Sequence, residues 1–195
     1  SITGTNNGVY LRAGGFVSNA ATGVISGKYG VHANGTGAAT LRNAGSVTGT
    51  NAAVKLASGN ANRLIVDPGA VFSGLVDGGN SIASSIASTL ELVSGSSTGT
   101  LTGLGSQFVK FRQVTIDAGA QWTLAAGSIG TGYTIIDSGT LTNTGTLQSG
   151  VTLAGAASAL INTAAALITG QSYGVRAITA DTTMHVANAG SIFGG

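Results

Sequence analysis

The sequence predicts an all-β protein, a parallel β-helix of about eight coils of about 23 residues each. Three observations carry this: a string of four residues that returns at near-constant spacing, turns that rely on glycine and asparagine, and very few aromatic side chains. The strings at 1–4 (SITG), 24–27 (VISG), 46–49 (SVTG) and 71–74 (VFSG) end in glycines separated by 23, 22 and 25 residues. Further on, LITG ends at Gly170 and SIFG at Gly194, 24 residues apart. Aromatics make up only 5% of the chain and charged residues 7%, while Gly contributes 33 residues and Pro one, Pro68. Such a composition cannot fill an ordinary globular core, but it suits stacked coils, where a small apolar side chain is matched by its neighbours above and below.

Within each repeat the four-residue string is the first β segment. A second begins at Val9-Tyr10-Leu11, Val31-His32-Ala33 and Val54-Lys55-Leu56, and returns as Val175-Arg176-Ala177. Residues two apart in a strand share a face, so Val9, Leu11, Val31, Ala33, Val54 and Leu56 should line the interior while Tyr10, His32 and Lys55 point out. A third segment ends in a turn at Asn19-Ala20, Asn43-Ala44-Gly45, Asp67-Pro68-Gly69, Asp117-Ala118-Gly119, Asn143-Thr144-Gly145 and Asn188-Ala189-Gly190. Three β segments per repeat give a coil of three sides. Between Gly74 and Gly103 the spacing widens to 29 residues, and 80–89 is expected to be a loop inserted in the stack. The middle of the chain has stronger β strings, with Phe108, Phe111 and Trp122 expected inside.

The formal charge is +2, and no basic run exceeds the pair Lys110 and Arg112, so no nucleic-acid partner is expected. There is no cysteine, hence no disulfide and no thiolate metal site. No signal peptide is read in the chain. The uncharged stretch 151–170 has the length of a membrane span, but Thr152, Ser158, Asn162, Thr163 and Thr169 dilute it and its end matches the repeat, so no membrane insertion is expected.

The S-x-T-G and Asn-x-Gly repeats of 1–79 resemble those in passenger regions of Gram-negative autotransporters. The segments 63–79 (RLIVDPGAVFSGLVDGG), 89–105 (TLELVSGSSTGTLTGLG), 108–124 (FVKFRQVTIDAGAQWTL) and 140–145 (TLTNTG) are similar to segments common in that group. The resemblance implies a right-handed β-helical stalk on the bacterial cell surface, exported through the outer membrane by a C-terminal barrel outside this chain.

The acidic residues Asp67, Asp77, Glu91, Asp117, Asp137 and Asp181 look dispersed, and a paired-carboxylate glycosidase is not expected. Asp67 and Asp117 are read at the position of Asn19, Asn43 and Asn188, as turn residues bonding their own backbone. His32 and His185 stand too far apart in sequence to share a metal in a stacked fold, and His32 reads as an outward surface residue. Asp181 and His185 with a nearby serine form only a chance resemblance to a triad. Calcium is not expected, since the nine-residue GGxGxDxUx repeat is absent. Asn34-Gly35-Thr36 matches a glycosylation pattern but reads as a turn. Thr-x-Thr pairs at Thr3/Thr5, Thr48/Thr50, Thr100/Thr102 and Thr140 to Thr146 suggest an ice-binding face, yet Ser26 and Lys28 interrupt the first rank.

The expected function is a structural stalk or presenting scaffold of a secreted surface adhesin, not an enzyme, with no catalytic, cofactor-binding or metal site. The alternatives are a polysaccharide-acting or glycan-binding β-helix, and an ice-binding solenoid. Both ends fall inside the repeat, so the whole of 1–195 is read as one β-helical segment, an internal fragment of a longer protein. Its expected partners are further coils of the same polypeptide or copies of itself end to end, with a host-surface or glycan ligand open.

Overall fold

A computed structural model describes residues 1–125, 128–179 and 183–195. Among these residues the chain is all-β, with 24 short strands and no helix. Parallel sheets stack as a β-solenoid of about eight turns, about 23 residues apart. The chain divides into two units, Ser1–Glu91 with Gln107–Arg112, and Leu92–Ser106 with Gln113–Gly195.

In the first unit, two ten-residue strands, Val24–Ala33 and Ser46–Lys55, form the centre of a seven-stranded parallel sheet completed by Ile2–Thr3, Asn7–Leu11, Val71–Ser73, Val76–Asp77 and Phe108–Val109. The four-residue strings lie in register, with Ile2, Ile25, Val47 and Phe72 on one rung after another. A second ladder runs through Val9, Val31, Val54, Val76 and Phe108. Alternation sends Val31 and Val54 fully inside and leaves Tyr10 and Lys55 exposed, and each β-branched side chain packs against a copy of itself one coil away. The ladder shifts register between Gly27 and Tyr29, where the long strand turns from one side of the coil to the next. A further sheet runs through Gly15–Asn19, Ala39–Asn43 and Arg63–Val66. After Asp77 no strand forms until Thr89, and both ends of this segment are tied in. The Asn80 side chain accepts from Gly59 N–H at 2.8 Å and donates to Asn60 C=O at 2.6 Å, while Ser88 donates to Gly78 C=O at 2.5 Å.

The second unit has three sides. One is Gly99–Thr102, Gln121–Ala125, Thr140–Asn143, Ala159–Asn162 and His185–Asn188; the next is Ser128–Ile129, Thr146–Leu147, Leu167–Gly170 and Ser191–Gly194. The third contains Gln113–Ile116, Thr134–Asp137, Val151–Leu153 and Val175–Ala177. Trp122, Leu141 and Leu160 stack inside, and Gly99 makes room for the indole, since a Cβ there would lie 2.5 Å from its ring. The indole N–H finds Val93 C=O at 2.9 Å, so the largest interior side chain leaves no polar atom stranded. The stretch 151–170, of span length, folds as three of these short strands, and no helix among the described residues is long and apolar enough to cross a membrane.

Asparagine contributes to the interior as well as to turns. Asn43 is fully buried at a corner, accepts Gly45 N–H at 3.2 Å and donates to Gly45 C=O and Val71 C=O; Asn19, one coil before, donates to its Oδ1 at 2.8 Å. In the second unit Asn143 donates to Asn162 at 2.9 Å and Asn162 to Asn188 at 2.8 Å. Each amide is thus satisfied by the coil it sits on and by the next, the condition for burying a polar group without penalty.

Three register expectations are corrected. Val175 pairs with Val151 and does not continue the ladder of Val9, Val31 and Val54. Asn143 and Asn188 lie in a different sheet from Asn19 and Asn43, because successive rungs of the asparagine ladder are 19 and then 26 residues apart in the second unit, so the phase inferred from a constant period drifts. Likewise Asp67 and Asp117 sit one residue beyond the expected rung: Asn43 pairs with Val66, and Asp137 with Ile116. Asp67 and Asp117 each open a turn closed by Ala70 N–H and Ala120 N–H, with Gly69 and Gly119 at φ of 88° and 74°, a type II geometry that glycine adopts without strain. Thr163 opens the same hydrogen-bonded turn, but Ala165 holds the left-handed position at φ 65°.

Candidate functional site

The outward partners of the valine ladder build a polar face on the first unit. Because Val9, Val31, Val54 and Val76 point in, Tyr10, His32, Lys55 and Asp77 follow one another on the outside. His32 packs against two tyrosines, with ring centroids 5.3 Å from Tyr10 and 4.7 Å from Tyr29, and its Nδ1 lies 3.1 Å from Asn7 Oδ1. Lys55 Nζ stands 5.6 Å from the Tyr29 ring centroid. Asp77 accepts Gly79 N–H at 2.8 Å through one oxygen and pairs with Lys110 at 2.8 Å through the other. Beside this column lies an open groove of about 570 Å³, bounded by His32, Lys55, Asp77 and Lys110 and walled by the turns carrying Asn34, Thr36 and Ser58. Partial burial lowers the pKa of His32, and the Lys55 ammonium lowers it further, so the imidazole leans towards its neutral form.

The second unit carries a smaller cleft of about 230 Å³ between Tyr133 and Tyr173, with Ser149, Gln171, Thr152 and Arg176 on its walls. Arg176 Nε donates to Thr152 Oγ1 at 3.1 Å, and Ser149 donates to Gly130 C=O at 2.7 Å, so these three side chains are already engaged. Burial raises the pKa of the Tyr133 hydroxyl.

The acidic residues do not gather. Asp67 pairs with Arg42 through two hydrogen bonds of 2.7 and 2.9 Å, so its carboxylate serves an ion pair as well as sitting at a turn; Glu91 pairs with Arg63, and Asp77 with Lys110. Asp117 opens its turn through its backbone C=O, and Asp181 lies outside the described residues. His32 belongs to the first unit and His185, exposed, to the second. Among the described residues no group of three His, Cys, Asp or Glu side chains could hold a metal. Thr100, Thr123 and Thr142 form an outward rank that ends at Ile161 and Ala187, while Ser26 stands between Thr3 and Thr48 in the first unit.

Asp137 is the residue whose role sequence reading missed. It is fully buried between Ile116 and Leu153 on an inward rung, where its Oδ1 accepts Gly139 N–H at 3.0 Å and its Oδ2 has no hydrogen-bond partner. Burial pushes its pKa up to about 7, against the opposing pull of the Gly139 and Leu141 N–H groups. The signal available in the sequence was the Asp137-x-Gly139 spacing, the same as Asn43-x-Gly45 and Asn143-x-Gly145.

Set against protein-family models, curated proteins and solved structures, the chain matches none. Fold and surface together define a β-solenoid with an internal amide ladder and a polar outer groove lined by the His32 imidazole.

Proposed function

We propose that this chain is a structural stalk or presenting scaffold of a secreted bacterial cell-surface adhesin. The observation that carries the reading is that the buried asparagines and three of the carboxylates are spent on stacking. Buried asparagines bond from coil to coil, and Asp67, Asp77 and Glu91 are each neutralised by a cation of a neighbouring coil. This chemistry builds length from a short repeat and, among the described residues, brings no two carboxylates together on one outer face, as hydrolysis of a polysaccharide would need. The S-x-T-G and Asn-x-Gly repeats, similar to those of autotransporter passengers, give the cell-surface half of the proposal. The test is limited proteolysis of intact cells of the source bacterium, followed with antibodies raised against residues 1–195. Release of the epitope from whole cells is expected. An epitope that is reached only after lysis would overturn the reading.

A further inference from the structure

The groove of the first unit has a feature that a passive scaffold does not require. Its three charged residues are Lys55, Lys110 and Asp77, and Lys110 takes up Asp77 at 2.8 Å. Lys55 is exposed and has no carboxylate within ion-pair distance among the described residues. One positive charge therefore faces the groove uncompensated. Alongside it, the rings of Tyr10, Tyr29 and His32 gather in mutual contact on one outer face of the unit. Tyr10 is 45% exposed, and Tyr29 and His32 are half-buried, tilted 32° to one another. The walls add a side-chain amide at Asn34 and hydroxyls at Thr36 and Ser58. The volume falls within the roughly 300–1,000 Å³ of small-molecule sites.

These features specify a ligand. A flat ring edge bordered by hydroxyl and amide groups suits a sugar, whose C–H face packs on an aromatic while its hydroxyls bond the rim. A neutral sugar would leave Lys55 unused, so the ligand brings an anionic group. A polyphosphate chain would need a row of free cations, and the groove has one. An apolar peptide would find no apolar slot. We infer that the groove binds an acidic saccharide, with Lys55 taking its carboxylate or sulfate and His32, backed by Tyr29 and Tyr10, carrying the adjoining sugar ring. The inference concerns this groove alone and stands apart from the stalk reading, since it needs no cell surface.

The test is titration calorimetry on the full chain with trigalacturonate, a heparin-derived tetrasaccharide, maltotriose and an oligothymidylate. Binding of one or both acidic sugars is expected: trigalacturonate alone identifies a carboxylate site, and the heparin fragment alone identifies a sulfate site. Maltotriose should bind at least about tenfold more weakly, and Lys55→Gln should weaken the acidic sugar at least about tenfold, the worth of one charge-assisted hydrogen bond. Arg176→Gln, on the other unit, should bind as the parent does. In NMR the His32 ring signals should move on binding and their titration should shift upward, because the bound anion offsets Lys55. Failure of both acidic sugars to bind, equal binding of maltotriose, undiminished binding by Lys55→Gln, or preference for the oligothymidylate would each overturn the inference.

Discussion

The corners at Asn143 and Asp137 are built alike and differ in one atom. Each side chain uses its Oδ1 to accept the N–H two residues on, Gly145 at 3.1 Å and Gly139 at 3.0 Å, and each is fully buried. At Asn143 the second atom is an amide nitrogen, which donates to Gly145 C=O, Leu167 C=O and Asn162 Oδ1. At Asp137 it is an oxygen with no partner. The backbone geometry therefore fixes what the side chain must accept, and the remaining atom decides whether the corner is satisfied or titratable. A carboxyl can imitate the amide only by keeping its proton, which is the physical content of a pKa raised to about 7.

The comparison breaks most severely when a carboxyl is buried without any corner N–H to accept. Val31→Asp does this on the fully buried valine ladder, and a loss of at least ~4 kcal/mol is expected, enough to unfold the neighbouring coils in a urea titration. Unchanged stability would reject the register of that ladder. Asn143→Asp keeps the acceptor but removes the donor and sets an oxygen against Asn162 Oδ1. It should cost about 3 kcal/mol at neutral pH, and less in acid, where the new carboxyl can be protonated. A cost that does not vary with pH would mean that the amide donor is irrelevant.

For Asp137 itself the sign is fixed by the two pKa values. The folded value, about 7, lies above the ordinary 3.8, so the unfolded chain releases its proton first. This residue's contribution is most favourable in acid, declines as pH rises from about 3.8 to about 7, and is level above that, a span of at most roughly 4 kcal/mol. Denaturation midpoints should therefore fall between about pH 5 and pH 7.5, and Asp137→Asn should flatten the profile and gain about 2 kcal/mol at the upper end. A parent protein whose midpoint is constant over that range would remove the buried acid from the account. The smallest effect concerns the turn in which Ala165 occupies the place of Gly69 and Gly119: Ala165→Gly should stabilise by about 0.5 kcal/mol, relief of the left-handed φ exceeding the entropy of glycine.

The stacked fold was legible because its repeat is written in strings short enough to compare by eye. Val9, Val31 and Val54 recur with the same neighbours, and the structure pairs them. Val175 carried the same local pattern and misled, since a string of three residues does not say which side of a coil it occupies once coil lengths vary. The asparagines were read as turn residues, and each is the last residue of its strand, at the corner where the turn begins. That their amides point inward to bond the next coil depends on what lies one turn away, which sequence spacing does not give. Of the groove, the outward column of Tyr10, His32 and Lys55 was legible from alternation alone. Its closure by Asp77 and Lys110 was not, because those residues are 33 apart in the chain and the two come together only through the irregular coils between them.

The amide ladder of the second unit connects rungs that are 19 and 26 residues apart with nearly the same hydrogen-bond length, 2.9 and 2.8 Å. The device checks that the chain has come back to the corner and is indifferent to the length of the path taken. Insertions and deletions are thus tolerated unevenly around each coil. A stretch of foreign sequence spliced between the strands of the arm from Asn162 to Asn188 changes only a detour, whereas a single residue added between Asn143 and Gly145 breaks the corner itself. A lineage carrying such a repeat can vary its arms freely, and so diversify whatever they display, while the corner residues hold the register of the stack.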